Sequence, residues 1–131
     1  NLSLAGSELV ENRTLMIHKH GSVSIGGYHT GNFALAVHGT IGAREIVVDL
    51  DNWYDHVFEE DYPLMSLEDL ENFIITNKHL PNIPKEEEIM NNGVKLAEMQ
   101  ALMIQKLEEL TLYVIQLQKE NQELREMIEN K

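Results

Sequence analysis

The sequence predicts an α+β chain that self-associates, with more than two copies favoured: a Gly-rich β segment, a small helical segment and a C-terminal parallel coiled coil. Three observations predict it. Six of the eight glycines fall between residues 14 and 43, where Lys19 is the only charged residue apart from histidines. Pro81 and Pro84, with a capping pattern at Ser66, punctuate a short acidic stretch. After Gly93 both Gly and Pro vanish, and apolar residues recur at spacings of three and four. The expected modules are therefore residues 1–50, 51–93 and 94–131.

Composition bounds what such a chain does. Its 131 residues carry 10 Lys and Arg against 22 Asp and Glu, a formal charge of −12. Residues 44–131 hold all of that excess. Phosphate contacts need clustered cations, so nucleic acid is not an expected partner, nor is an anionic membrane surface. No apolar run approaches the ~20 residues that span a bilayer, so no membrane insertion is expected. Without cysteine there is no disulfide, thiol nucleophile or Cys-based zinc site. The chain begins at Asn1 with no signal-like segment and is expected to be a piece of something longer.

In the first module Leu15, Ile17, Val23, Ile25, Phe33, Leu35 and Val37 alternate with smaller or polar residues, the period-two signature of strands. Gly21-Ser22, Gly26-Gly27 and Gly39-Thr40 supply the turns, and Glu45–Asp49 is expected to be a last strand. Five short strands make little core, and with no disulfide available the expected support is partner chains. Three chains around a common axis would bury Val23, Ile25, Leu35 and Val37 and cover the strand edges.

In the second module Ser66 is the expected N-cap of a helix, with Asp69 at the third helical position. Leu67, Leu70, Phe73 and Ile74 share one face, and Asn77-Lys78 ends the helix. The two prolines make residues 79–84 extended. Pro84 is expected to open a short helix over Lys85–Met90, stopped by Asn91-Asn92-Gly93.

The third module carries heptads. With Leu107 at a, Val114, Asn121 and Ile128 fall at a, and Leu110, Leu117 and Leu124 at d. Backward, Met103 and Leu96 fit d and Gln100 breaks a. The expected seam is thus Met103, Leu107, Leu110, Val114, Leu117, Asn121, Leu124 and Ile128, on a helix from about Val94 to Glu129. Asn121 fixes register at a cost in stability, and Glu120 at g faces Arg125 at the following e. Heptads leave two and three strands open. Ile104, Tyr113 and Met127 at e and g widen the apolar face and favour more than two.

Several runs resemble a known family. Gly21–Gly26 followed by Phe33–Ile46 resembles the "GNVGIGT … LAVNGTIRAKEI" pattern of tail-fibre-like and surface adhesin proteins of Bacteroidetes and their phages. Trp53–Tyr62 resembles their "WPDYVFEEDY", His79–Pro84 their "HLPGIP" and Lys106–Tyr113 their "KVEELTLY". The match runs in order over roughly residues 15–125. It implies the C-terminal end of a trimeric fibre or adhesin: a β-shaft end (1–50), a small helical head (51–93) and a trimeric coiled coil (94–131). It also implies partnership with other fibre or tail proteins and placement on an extracellular virion tail fibre, or alternatively on a bacterial cell surface.

The arrangement is similar to that of the intramolecular chaperones of phage tail-spikes and endosialidases, which cleave themselves off through a Ser–Lys pair in "SDxRxK". The corresponding stretch here, Asp49–Tyr54, has no Ser, Arg or Lys, and a serine nucleophile needs a base. Registration does not need cleavage: a local helical bundle forms early and raises the effective concentration of three slow β chains.

Other chemistry is weaker. His18-Lys19-His20 would place two imidazoles on one side of a strand, and some fibre tips resemble this in holding iron; the parity set by Val23 and Ile25 instead turns His18 and His20 outward, and no metal is expected. Asp49, Asp51, Asp55 and Glu60 resemble a calcium loop, but Trp53 and Tyr54 occupy a ligand and the glycine position. No cofactor is expected. Trp53, Tyr54 and Tyr62 are candidate contacts to a host-surface receptor or glycan, with Phe58 beside them; the competing reading makes these aromatics a satellite core. Three functions follow: a structural trimerisation, registration and capping module, expected to be no enzyme; a receptor- or glycan-binding adhesin tip; and a self-cleaving chaperone.

Overall fold

The computed structural model describes residues 15–49 and 56–131. The fold is α+β, with a three-stranded sheet and three helices. The chain divides into two compact units, Asn1–Val47 and Val48–Lys131. Residues 56–93 and 94–131 lie together in the second.

In the first unit β1 (Leu15–Ile17) and β2 (Val23–Ile25) form an antiparallel hairpin, and β3 (Leu35–Val37) adds parallel to β2. The hairpin turn is closed by Gly21 N–H on the His18 carbonyl, 2.9 Å, and His18 N–H on the Ser22 carbonyl, 2.9 Å. Gly21 takes φ +87°, a left-handed conformation that a side chain disfavours. A parallel return normally needs a dozen or more residues, yet residues 26–34 suffice here. A turn from Thr30 to Phe33 shortens the path. His38 Nε2 then donates to the His29 carbonyl at 2.7 Å, clasping the loop. Gly27 is required beneath that ring, because a Cβ there would collide with the His38 imidazole.

The register sorts the two faces. Leu15 pairs with Ile25 and Ile25 with Val37; Ile17 pairs with Val23 and Val23 with Leu35. The odd-numbered face is therefore wholly apolar, and Leu15, Ile17, Ile25 and Leu35 lie exposed on it. Met16, Ser24 and Ala36 make the central row of the other face, with Ser24 fully buried. The expected strand at Glu45–Asp49 does not form: these residues take no regular structure, and Val47 is open to solvent. β-branched residues favour a strand only where a neighbouring edge exists.

In the second unit α1 (Leu67–Asn77) starts as expected. Ser66 Oγ accepts from Asp69 N–H at 3.1 Å and donates to the Asp69 carboxylate at 2.7 Å. Lys78, at φ +60°, ends the helix with its N–H on the Ile74 carbonyl. Residues 79–84 are not simply extended. Ile83 N–H bonds the Leu80 carbonyl at 3.2 Å and Asn82 takes φ +64°. Pro81 at the second place and a left-handed Asn82 at the third are the pattern of a type II turn. The prolines forbade helix, but they also pre-set this turn. His79 donates from Nδ1 to the Leu80 carbonyl at 2.8 Å and stands edge-on to Phe73.

Helix α2 (Glu86–Asn92) begins after Pro84 rather than at it, with Lys85 as N-cap and three glutamates in its first turn, where the helix dipole favours negative charge. Gly93, at φ +74°, stops it. Helix α3 (Leu96–Glu129) runs 34 residues, about 50 Å at 1.5 Å per residue.

Candidate functional site

The candidate site of the second unit lies on α3, whose two flanks differ. One flank carries the head. Tyr113 is buried, and its hydroxyl donates to the Met65 carbonyl at 2.8 Å. One turn earlier Glu109 accepts from the Tyr62 hydroxyl at 2.6 Å through one oxygen and from Lys106 Nζ at 2.7 Å through the other. Gln105 Nε2 donates to Tyr62 Oη at 3.0 Å. The Lys106 and Glu109 side chains are only 13% and 14% exposed. Pairing is what makes burial of these charges tolerable.

This network sets the phenols. Burial pushes Tyr62 above its ordinary 10.0, and the Glu109 carboxylate it donates to adds to the rise. Burial also raises Tyr113, with the Glu109 charge again contributing. Both phenols therefore stay protonated as donors.

The other flank is bare. Met103, Leu107, Leu110, Val114, Leu117, Leu124 and Ile128 are between 43% and 72% exposed. Asn121 is exposed too, its Nδ2 donating to its own helix at the Leu117 carbonyl, 2.9 Å. With Leu107 at a, the head bonds Tyr113 at g, Glu109 at c and Gln105 at f, with Lys106 at g covered beside them, leaving a, d and e open. Tyr113 was expected to widen the seam; it is buried against its own head instead. An apolar groove of about 470 Å³ runs along this boundary, between Leu80, Pro81 and Ile83 of the head and Met103, Leu107 and Leu110 of the seam.

The remaining candidates separate. Tyr62 is half-buried in the head–helix contact rather than displayed on a platform, whereas Phe58 beside it is exposed. Trp53 and Tyr54, Asp51 and Asp55 of the calcium-like set, and residues 50–54 of the cleavage-like stretch lie outside the described residues. His18 and His20 do not act as a pair: His18 Nε2 lies 3.0 Å from Ser24 Oγ, and His20 is exposed in the hairpin turn. The His18–Ser24 spacing is that of a base and a hydroxyl nucleophile, but Ser24 has no exposed surface on which to meet a substrate. Among the described residues no group of three or more His, Asp or Glu is placed to hold a metal, and no helix is long and apolar enough to cross a membrane.

Sequence reasoning missed the Tyr62–Glu109–Lys106 network. Lys106 and Glu109 at i,i+3 look like any solvated helix pair, and only the tertiary contact with Tyr62 distinguishes them. Neither a protein-family model, a curated protein nor a solved structure matches the chain.

Proposed function

We propose that this chain is a structural module that trimerises, registers and caps the C-terminal end of a phage or phage-like tail fibre. The observation that carries the reading is the open heptad seam of α3, which runs from Met103 to Ile128 over about 40 Å of helix with Asn121 its one polar member, while the head is seated on a different flank. A helix that served only its own chain would direct its apolar positions at its own head. Here the head takes g, c and f positions and leaves a and d to neighbours, which is the division of a coiled-coil strand. The open odd-numbered face of the sheet, with Ile17 and Leu35 exposed, fits the same arrangement of three chains about an axis.

In this reading the module performs no chemistry. It holds three chains in register through Asn121 and closes the fibre, and its partners are two further copies and the fibre or tail proteins that precede it on an extracellular virion. The resemblance of residues 15–125 to fibre ends supports the assignment. The experiment is the solution mass of the 131-residue chain by light scattering behind a sizing column. A mass of three chains is expected; a mass of one chain overturns the reading.

A further inference from the structure

We infer that each head grips the helix of a neighbouring copy as well as its own, through the groove between its Pro81 turn and the seam. This rests on the parallel trimer proposed above. One wall of the groove is Leu80, Pro81 and Ile83; the other is Met103, Leu107 and Leu110, which are d, a and d positions. Whatever pairs with the seam therefore passes beside the turn, and the same surface cannot serve two occupants.

The occupant is α3 of a second copy. Seven apolar seam side chains are 43% to 72% exposed, a stripe on the scale of the ~800 Å² per partner of a standard stable interface. In a parallel in-register bundle the g side of one helix faces the e side of the next. The head occupies the g side, at Lys106 and Tyr113, so its groove opens toward a neighbour's e positions. With each g facing the following e of the neighbour, Met99 and Lys106, g residues that line the groove, face Ile104 and Thr111. Ile104 is apolar and 41% exposed, and an e residue lies about 160° around its own helix from g, away from its own head. The neighbour's Ile104 is thus the side chain placed to fill the groove against Leu80 and Ile83. The head core is then completed only by assembly, and its half-buried state in one chain is the open form of a shared core.

The absence of cysteine allows a direct test. A Leu80→Cys/Ile104→Cys double variant, oxidised in air, is expected to run as a covalent trimer on a non-reducing gel and to return to one chain with reductant, while each single variant does not. Covalent monomers from a protein whose light-scattering mass is three chains overturn the clamp and leave the trimer standing. A one-chain mass overturns the trimer itself. A ladder ending at two chains keeps the clamp and overturns the count of three. A second measurement reads the same contact without a cross-link. Ile104→Ala is expected to raise hydrogen exchange at the Ile83 amide, which bonds Leu80, about tenfold; an unchanged rate in an intact trimer overturns the clamp.

Discussion

Tyr113 and Val114 are adjacent in the chain and have opposite environments. Tyr113 is 6% exposed and bonded to the Met65 carbonyl, while Val114 is 58% exposed. One residue of helix, about 100° of rotation, separates the flank covered by the chain's own head from the open flank.

Leu117→Asp tests the outer flank. If Leu117 is a buried d position in the assembly, a carboxylate there loses a buried leucine's packing and desolvates a charge, about 3 kcal/mol or more per chain. Sizing with light scattering is expected to give single chains, with helicity of α3 reduced. Retained mass and helicity would sink the heptad register.

Asn121→Ile tests the pin. Asn121 now satisfies one donor on its own helix at Leu117, leaving its carbonyl for neighbours. The isoleucine variant is expected to melt at a higher temperature and to lose uniqueness of register, read from end-to-end spin-label distances. A lower melting temperature would place Asn121 away from any seam.

Glu109→Ala tests the inner flank. It strips Lys106 of its partner while Lys106 stays largely covered, at about 3 kcal/mol, because a buried charge is left uncompensated. Tyr113→Phe removes one hydrogen bond and is expected to lose only about 1 kcal/mol. Amide exchange in α1 reports both. Equal losses would mean that Glu109 and Lys106 are not the anchor.

The same clasp is alkali-sensitive. Tyr62 and Tyr113 titrate above their ordinary 10.0 in the folded chain. Between that value and the raised one, the unfolded state has lost protons that the folded state keeps. Their contribution is full below pH 10 and is lost as pH rises through the folded values. The head is expected to release α3 as tyrosinate absorbance appears, and a Tyr62→Phe/Tyr113→Phe double variant should lack this alkaline loss. An identical alkaline profile in that variant would remove the phenols from the clasp.

Gly27→Ala tests the loop under β3. The added Cβ meets the His38 ring, so His38 must leave the His29 carbonyl, at about 1–3 kcal/mol. Replacing His38 by alanine as well should remove most of the additional penalty of Gly27→Ala. Undiminished destabilisation in the double variant would mean that the glycine serves some other purpose.

What the sequence made legible was what depends on local pattern. The Ser66–Asp69 cap, the turn at Gly21-Ser22, the stop at Gly93 and the heptads of α3 are all set within a few residues of chain. What it hid depends on partners. Glu45–Asp49 has strand propensity but no edge beside it. Tyr113 satisfies the heptad count as well as a seam residue would, and only the Met65 carbonyl assigns it inward. At Leu80–Ile83 the proline rule excluded helix correctly, but the reading overlooked that Pro followed by Asn specifies a turn. For the candidate contacts, Tyr62 proved to hold the head to α3, a role no spacing in sequence announces.

The head reaches only as far as Tyr113 along α3. Beyond it every residue from Val114 to Glu129 is exposed. That asymmetry gives assembly a direction. In the trimer we propose, the unobstructed half is where helices from different chains can meet without displacing anything, so encounter nucleates there and zips toward Leu96. The heads close last, behind the advancing zipper. A mutation in the far half would therefore slow association, whereas one in the clasp would mainly hasten its undoing.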